Sequence, residues 1–196
     1  MGSLSKLVFV MLGLNLAVVD LATAQSRNGL SVMAGLTQPM LLGGANIAVQ
    51  YETNNWVFEY SHGVNLKLHK FKQTMSSSDQ DENLVINVPW TTGAGIGYRI
   101  SDAFHVLIEV KAHKFEVSIP GGGTANYTGF SAGPSVFYTK YFGSNFFIQP
   151  NVRFWPTVGS SESGNKIQVK RADGSTYTHK IHDFSLFVNM NLGWTF

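Results

Sequence analysis

The chain has 196 residues, with 14 Lys and Arg against 12 Asp and Glu, so that its net charge is only +2. That length allows one domain rather than two, and the charge is too small to argue for a nucleic-acid partner. Charged residues make up 13%, about half the usual share, while 14 Phe, 7 Tyr, 4 Trp and 20 Gly run high; this excludes a disordered, solvating protein, and the absence of Cys excludes a disulfide framework, a thiolate metal site and a Cys nucleophile.

The first 24 residues differ from the rest. Lys6 gives a positive start, Leu7 to Val19 is almost wholly apolar, and Ala22, Thr23 and Ala24 are small residues before Gln25. This reads as a cleavable secretory signal. The apolar run, about 13 residues, is short of the roughly 20 a membrane helix needs, and Asp20 ends it. The expected mature domain is therefore residues 25 to 196.

From residue 30 onward the signal is strict alternation, the period of a strand. The apolar sets are Leu30/Val32/Ala34/Leu36, Ala45/Ile47/Val49/Tyr51, Trp56/Phe58/Tyr60 and Trp90/Thr92/Ala94/Ile96/Tyr98/Ile100. Next come Phe104/Val106/Ile108/Val110/Ala112, Thr128/Phe130/Ala132/Pro134/Val136/Tyr138 and Phe146/Ile148/Pro150/Val152/Phe154. The last set is Phe184/Leu186/Val188/Met190/Leu192/Trp194/Phe196. None of these positions is charged, which predicts eight strands with one wholly apolar face.

Alternation alone does not say which solvent the apolar face meets, but three further features do. Connections alternate between tight turns (52 to 55, 101 to 103, 141 to 145) and long polar loops (65 to 87, 114 to 126, 157 to 181), with a shorter loop at 37 to 43; this asymmetry describes an outer-membrane barrel. Aromatics collect at the tight-turn ends (Tyr51, Trp56, Tyr98, Phe104, Tyr138, Phe146) and near the other ends (Tyr60, Trp90, Tyr127, Phe154, Phe184), as two headgroup girdles would. The chain also stops on an aromatic strand end, Trp194 and Phe196.

Lipid offers no hydrogen-bond partner to an open sheet edge, so the predicted fold is an all-β, transmembrane, eight-stranded antiparallel up-and-down barrel. Such a barrel is filled by side chains. Inward glycines, among them Gly35, Gly93, Gly95, Gly97, Gly129, Gly133 and Gly193, are expected to make room for Met33, Phe137, Phe147 and Phe187. Three inward acids, Glu52, Glu59 and Glu109, face three inward bases, Arg99, Lys111 and Arg153. Confined charges are costly unless paired, so these six are predicted to form an internal polar network that plugs the lumen.

The pattern resembles the small eight-stranded outer-membrane family that includes the OmpA barrel domain, OmpX and the opacity-type surface proteins. The resemblance lies in architecture and in the C-terminal Trp194/Phe196 signature that the barrel assembly machinery recognises. It implies residence in the bacterial outer membrane, export by the signal peptide, long loops outside the cell and periplasmic termini. It also implies a non-enzymatic role in envelope integrity or surface interaction, alone or as accessory subunit of a larger complex. No cell-wall-binding domain is expected after Phe196.

Val64, Leu66 and Leu68, and likewise Leu84, Ile86 and Val88, are expected to extend the outward set above the membrane. Lys70, Lys72, Lys166, Lys170, Arg171 and Lys180 are candidate members of a basic rim that meets lipopolysaccharide phosphates, with a solvated loop tip as the plainer alternative. A protein partner at the loops or the barrel wall is a further expectation.

No cofactor or metal is expected: His105, Glu109 and His113 share a face, but positions four apart in a strand lie roughly 13 Å apart. A lipid A-modifying enzyme would need a nucleophile, base and acid together; Ser61 with His62, or His179, His182, Asp183 and Ser185, have the residue types without convincing spacing. Outward Pro134 and Pro150 leave open a third class, a sideways facilitator for small hydrophobic molecules.

Overall fold

The computed structural model describes residues 28–70, 75–182 and 184–196; the expected signal segment lies outside them. Eight long strands form the wall: β1 (Gly29–Gly35), β2 (Ala45–Glu52), β3 (Trp56–Lys67), β4 (Val85–Arg99), β5 (Phe104–Ser118), β6 (Thr124–Tyr138), β8 (Phe146–Trp155) and β12 (Phe184–Thr195). Each pairs antiparallel with its neighbours. The ring closes because β1 pairs with β12, β12 with β8 and β8 with β6. Short β7 (Lys140–Phe142) pairs with the start of β8, and β9 (Thr157–Ser160) continues the wall beside β6.

The polarity of the wall is inverted relative to a soluble protein. Glu109 is 0% exposed, whereas its chain neighbours Ile108 and Val110 are 59% and 58% exposed. Ile47, Phe58, Ile96, Val136 and Val188 likewise face out. A continuous exposed apolar belt of this size is stable only against lipid, and a closed ladder is what lipid demands of a sheet; the fold is a transmembrane eight-stranded barrel. Tyr51, Trp56, Tyr98 and Trp194 ring the short-turn end, where Trp56 and Tyr98 meet edge to face at 5.9 Å. Tyr60, Phe130 and Phe154 are exposed toward the other end.

Glycines set the width of the interior. Gly93, Gly95 and Gly97 of β4 lie opposite Lys111, Glu109 and Leu107 of β5, and Gly193 lies opposite Phe147, whose ring tip fills the place where a Cβ would stand. Large inward side chains thus lie across the bare backbone of the next strand.

Above the membrane the structure departs from the expected outward extension. Asn65 adopts φ 57° and the β4–β5 register slips between Asn87 and Trp90. Beyond this level the apolar side chains point inward: Leu66, Leu68, Leu84, Ile86 and Val88 are all buried. The described parts of the stretches expected to be long polar loops contain regular structure. β5 and β6 run on to a tight turn at 119–123. The last loop contains a hairpin of β10 (Lys166–Lys170) and β11 (Thr176–Lys180), and the segment after β3 contains a short helix, α1 (Ser77–Asp81), N-capped by Ser76.

These pieces share a core of Leu42, Leu68, Met75, Ile86, Phe115, Val117, Tyr127, Val169 and Ile181. Tyr127 belongs to this core, stacked on Phe115 at 4.6 Å, and not to the girdle where its place near the strand end put it; its odd position on β6 already points inward. Water above the membrane restores the ordinary hydrophobic driving force, so the outward alternation stops where lipid stops and an apolar-inside cap begins.

One seam of the wall is interrupted: between β8 and β9 the ladder beside β6 is irregular, bridged by Ala132 N–H donating to the Pro156 carbonyl at 3.3 Å. β6 and β8 exchange three residue pairs (Ser135 with Arg153, Val136 with Val152, Phe137 with Asn151), whereas β5 and β6 share fifteen. Pro134 and Pro156 flank the gap, and the Phe154 carbonyl oxygen occupies the place where a Cβ on Gly133 would sit.

The glycine argument predicts the effect of adding one methyl group. At Gly97 a Cβ would collide with the Val106 carbonyl oxygen, so Gly97→Ala is expected to destabilise the barrel by about 1–3 kcal/mol. Gly159→Ala, with nothing within 4 Å of its Cβ, is expected to change it by less than about 0.5 kcal/mol. Urea unfolding in detergent, read by heat-modifiable gel mobility, checks both; equal midpoints for the two variants would refute the packing account.

Candidate functional site

The lumen floor is a hydrogen-bonded ionic plug built from residues at odd positions of β3, β5 and β8. All six predicted network residues are buried. Arg153 is the hub: its guanidinium donates to Glu59 at 3.2 Å and to Glu109 at 2.8 Å, and its Nε donates to Asn151 at 2.7 Å. Lys111 stands 3.4 Å from Glu109 and donates to Ser61. Arg99 and Glu52 form their own pair toward the short-turn end. Among the described residues their ion pairs fall into two sets, Glu52 with Arg99 and the other four around Arg153 and Glu109.

Several members of the plug were not singled out by their charge. Trp155 Nε1 donates to Glu109 at 3.1 Å, and Ser135 donates to the same carboxylate. The Trp155 ring also lies under Lys111 at 4.8 Å and Arg153 at 5.1 Å. Below them runs a relay of amides: Asn189 to Asn191 at 2.6 Å, Asn191 to Gln149 at 3.0 Å, and Gln149 to Gln50 at 3.2 Å. Gln50 then meets His105 at 3.0 Å, whose ring stacks on Phe137 at 4.6 Å. The signal that finds them is parity: each sits on the face opposite the apolar set. Charge balance within the Glu59, Glu109, Lys111 and Arg153 cluster, with neutral donors from Ser135 and Trp155 on Glu109, is what makes its burial tolerable.

His105, Glu109 and His113 are held apart in separate contacts. His113 bonds Thr91 at 2.7 Å and Ser131 at 2.9 Å, and no group of three metal-type ligands occurs among the described residues. Ser61 faces in toward Lys111, whereas His62 is on the opposite face of β3. His179 is buried in the cap, and Asp183 lies outside the described residues.

Between plug and cap is a cavity of about 30 Å³, lined by Lys111, His113, Arg153 and Asn189 below and by Leu42, Leu66, Trp155 and Phe187. It has room for one or two waters and none for an organic solute. Gln38, from the helical turn Gln38–Leu42, lines it; its Oε1 has no partner among the described residues, nor has Glu59 Oε2.

The cap is locked by polar contacts between α1 and the β10–β11 hairpin. Asp79 Oδ1 accepts from His179 Nδ1 at 2.9 Å and from the Tyr177 hydroxyl at 2.9 Å. Burial pushes the Asp79 carboxyl up, but the hydrogen bonds from His179, Ser76 and Tyr177, with the His179 charge, outweigh it and hold it below its ordinary 3.8. At the hairpin turn Arg171 forks onto Glu82 at 2.7 and 2.9 Å, which holds that carboxyl below its usual range.

The predicted basic rim divides accordingly. Arg171 is spent on Glu82, Lys70 reaches over Gly43, and Lys72 lies outside the described residues. Lys166, Lys170 and Lys180 share the outer face of the hairpin. Trp194 and Phe196 are exposed at the short-turn end.

Removing the hub should leave two buried carboxylates short of a partner. Arg153→Met is expected to cost about 3–5 kcal/mol, and adding Glu59→Gln, whose carboxylate pairs only with Arg153 among the described residues, to recover part of it; denaturant midpoints of the single and double variants measure this, and a harmless single variant would show the plug to be incidental. For the cap, Asp79 stabilises while ionised. That contribution is present above its unfolded-state pKa near 3.8 and is lost as pH falls through the lower folded value. Hydrogen exchange of cap amides should therefore rise in acid below that range, and Asp79→Asn should flatten the dependence.

No protein-family model matches the chain, and no curated protein matches it. Among solved structures it is similar to the crystal structure of a major outer membrane protein from Thermus thermophilus, with a TM-score of 0.42 and 10% identity over 86% of this chain and 99% of that one.

Proposed function

We propose that this is an outer-membrane barrel whose long-loop end faces outside the cell and whose termini are periplasmic. It acts without catalysis, in envelope integrity or surface interaction. The observation that carries this reading is the combination of a filled lumen and a packed cap: among the described residues an ionic plug crosses the lumen and the cavity above it is too small for an organic solute, so the chain's specific chemistry is concentrated on a structured surface. Export by residues 1–24, recognition of the Trp194/Phe196 strand end by the assembly machinery, and contact of Lys70 and Lys72 with lipopolysaccharide phosphates belong to the same proposal. An accessory role in a larger outer-membrane complex fits it as well.

A second reading, a sideways facilitator for small hydrophobic molecules, draws on the interrupted β6–β8 ladder beside Pro134. The cavity between plug and cap is small and, among the described residues, lined by none from β6, which makes this the weaker of the two.

Fractionation of cells that express the full chain tests the first reading. The mature protein is expected in the outer membrane, trimmed after residue 24, with lipopolysaccharide co-purifying and falling several-fold in the Lys70→Gln/Lys72→Gln variant. A detergent-free soluble product would overturn the membrane placement, a mass change in lipid A on expression would overturn the non-enzymatic reading, and unchanged lipopolysaccharide retention would remove the role of these two lysines.

A further inference from the structure

The outer face of the β10–β11 hairpin is polar and basic. Alternation places Lys166, Gln168 and Lys170 of β10 beside Lys180, Thr178 and Thr176 of β11, all exposed, while Val169 and His179 are buried beneath them. Lys166 and Lys180 are directly opposite each other. Like charges in that relation destabilise a hairpin, and among the described residues no carboxylate lies within ion-pairing distance of Lys166, Lys170 or Lys180. Arg171, one residue beyond, has a bidentate partner in Glu82. Among the described residues, then, the cation at the turn is neutralised and the three on the face have no carboxylate partner.

The face is also rigidly held. Tyr177 and His179 hang from Asp79, Gly123 N–H donates to the Lys170 carbonyl at 2.8 Å, and Ile181 N–H donates to the Asn165 carbonyl at 3.1 Å. Fixing the backbone beforehand lowers the ordering cost of binding.

The residue types select the partner. The face has no aromatic side chain on which a nucleic-acid base could stack and no aromatic or Arg anchor of the kind that dominates protein interfaces, where Lys is depleted. It has no apolar side chain to enter a bilayer. What it offers is cations roughly 13 Å apart along the strands, with Gln and Thr between them to hydrogen-bond neutral hydroxyls. We propose that this face docks an acidic polysaccharide presented in solution or on another surface, rather than a lipid headgroup. The proposal deepens the surface-interaction reading and depends on it for the orientation of the cap.

Titration of fluorescent heparin onto the full-length protein in zwitterionic nanodiscs tests it. Saturable binding is expected, weakening with salt as if about three counter-ions were released, and falling roughly tenfold or more in Lys166→Gln/Lys170→Gln/Lys180→Gln. Lys140→Gln, at the short-turn end, should bind as the parent does. Thr178→Glu, which puts an acid among the lysines, should weaken binding independently, and heat-modifiable mobility verifies that each variant is folded. Absence of heparin binding, equal binding of uncharged dextran, undiminished binding by the folded triple variant, or attachment only to vesicles with anionic lipid would each overturn the proposal. Failure of the membrane reading would show separately, as loss of the outer-membrane fraction with heparin binding intact.

Discussion

The constraint on which the rest depends is that a sheet in hydrocarbon cannot have an edge. Each unpaired N–H or C=O costs several kcal/mol there, so β1 must find β12, and an eight-stranded ring follows with a lumen about as wide as its own side chains. Confinement then dictates the chemistry inside. Glycines on β4 yield space to Lys111, Glu109 and Leu107; Arg153 spans Glu59 and Glu109; Ser135 and Trp155 donate to Glu109 as well.

The molecule has two interiors of opposite polarity, stacked along the barrel axis. Within the membrane the solvent is apolar, so greasy side chains face out and the buried space is free for polar contacts. Above it the solvent is water: Leu68 and Ile86 turn in after the switches on β3 and β4, and Phe115 and Tyr127, on the unbroken inward faces of β5 and β6, join them in an ordinary core. The switch is made locally, by the left-handed Asn65 and the bulge at Asn87–Trp90. Asn tolerates that conformation where a β-branched residue would not, and a bulge changes which face a strand presents.

The consequence for function is a closed barrel roofed by a structured cap. The Asp79, Tyr177 and His179 contacts fix the β10–β11 hairpin against α1, so the lysines above them are carried on a stable platform. Association through such a surface relies on charge placed beforehand rather than on a loop that must order on contact.

Much of the barrel was legible in the sequence because alternation is a local property: each apolar position from Leu30 to Trp194 reveals the phase of its own strand, and the inward charges follow from parity. The signal weakened where the phase changes. Leu66, Leu68, Ile86 and Val88 keep an alternating pattern, yet nothing along the chain marks which side is wet once lipid gives way to water, and Tyr127 looks like a girdle residue until its ring is seen against Phe115. Pairings such as Arg153 with Glu59, Arg171 with Glu82 and Asp79 with His179 join residues about a hundred apart or nearly so. Only ring closure and cap packing bring them together, so the sequence determined the strands and their inward charges, whereas the tertiary structure decided which charges neutralise each other and which remain facing solvent.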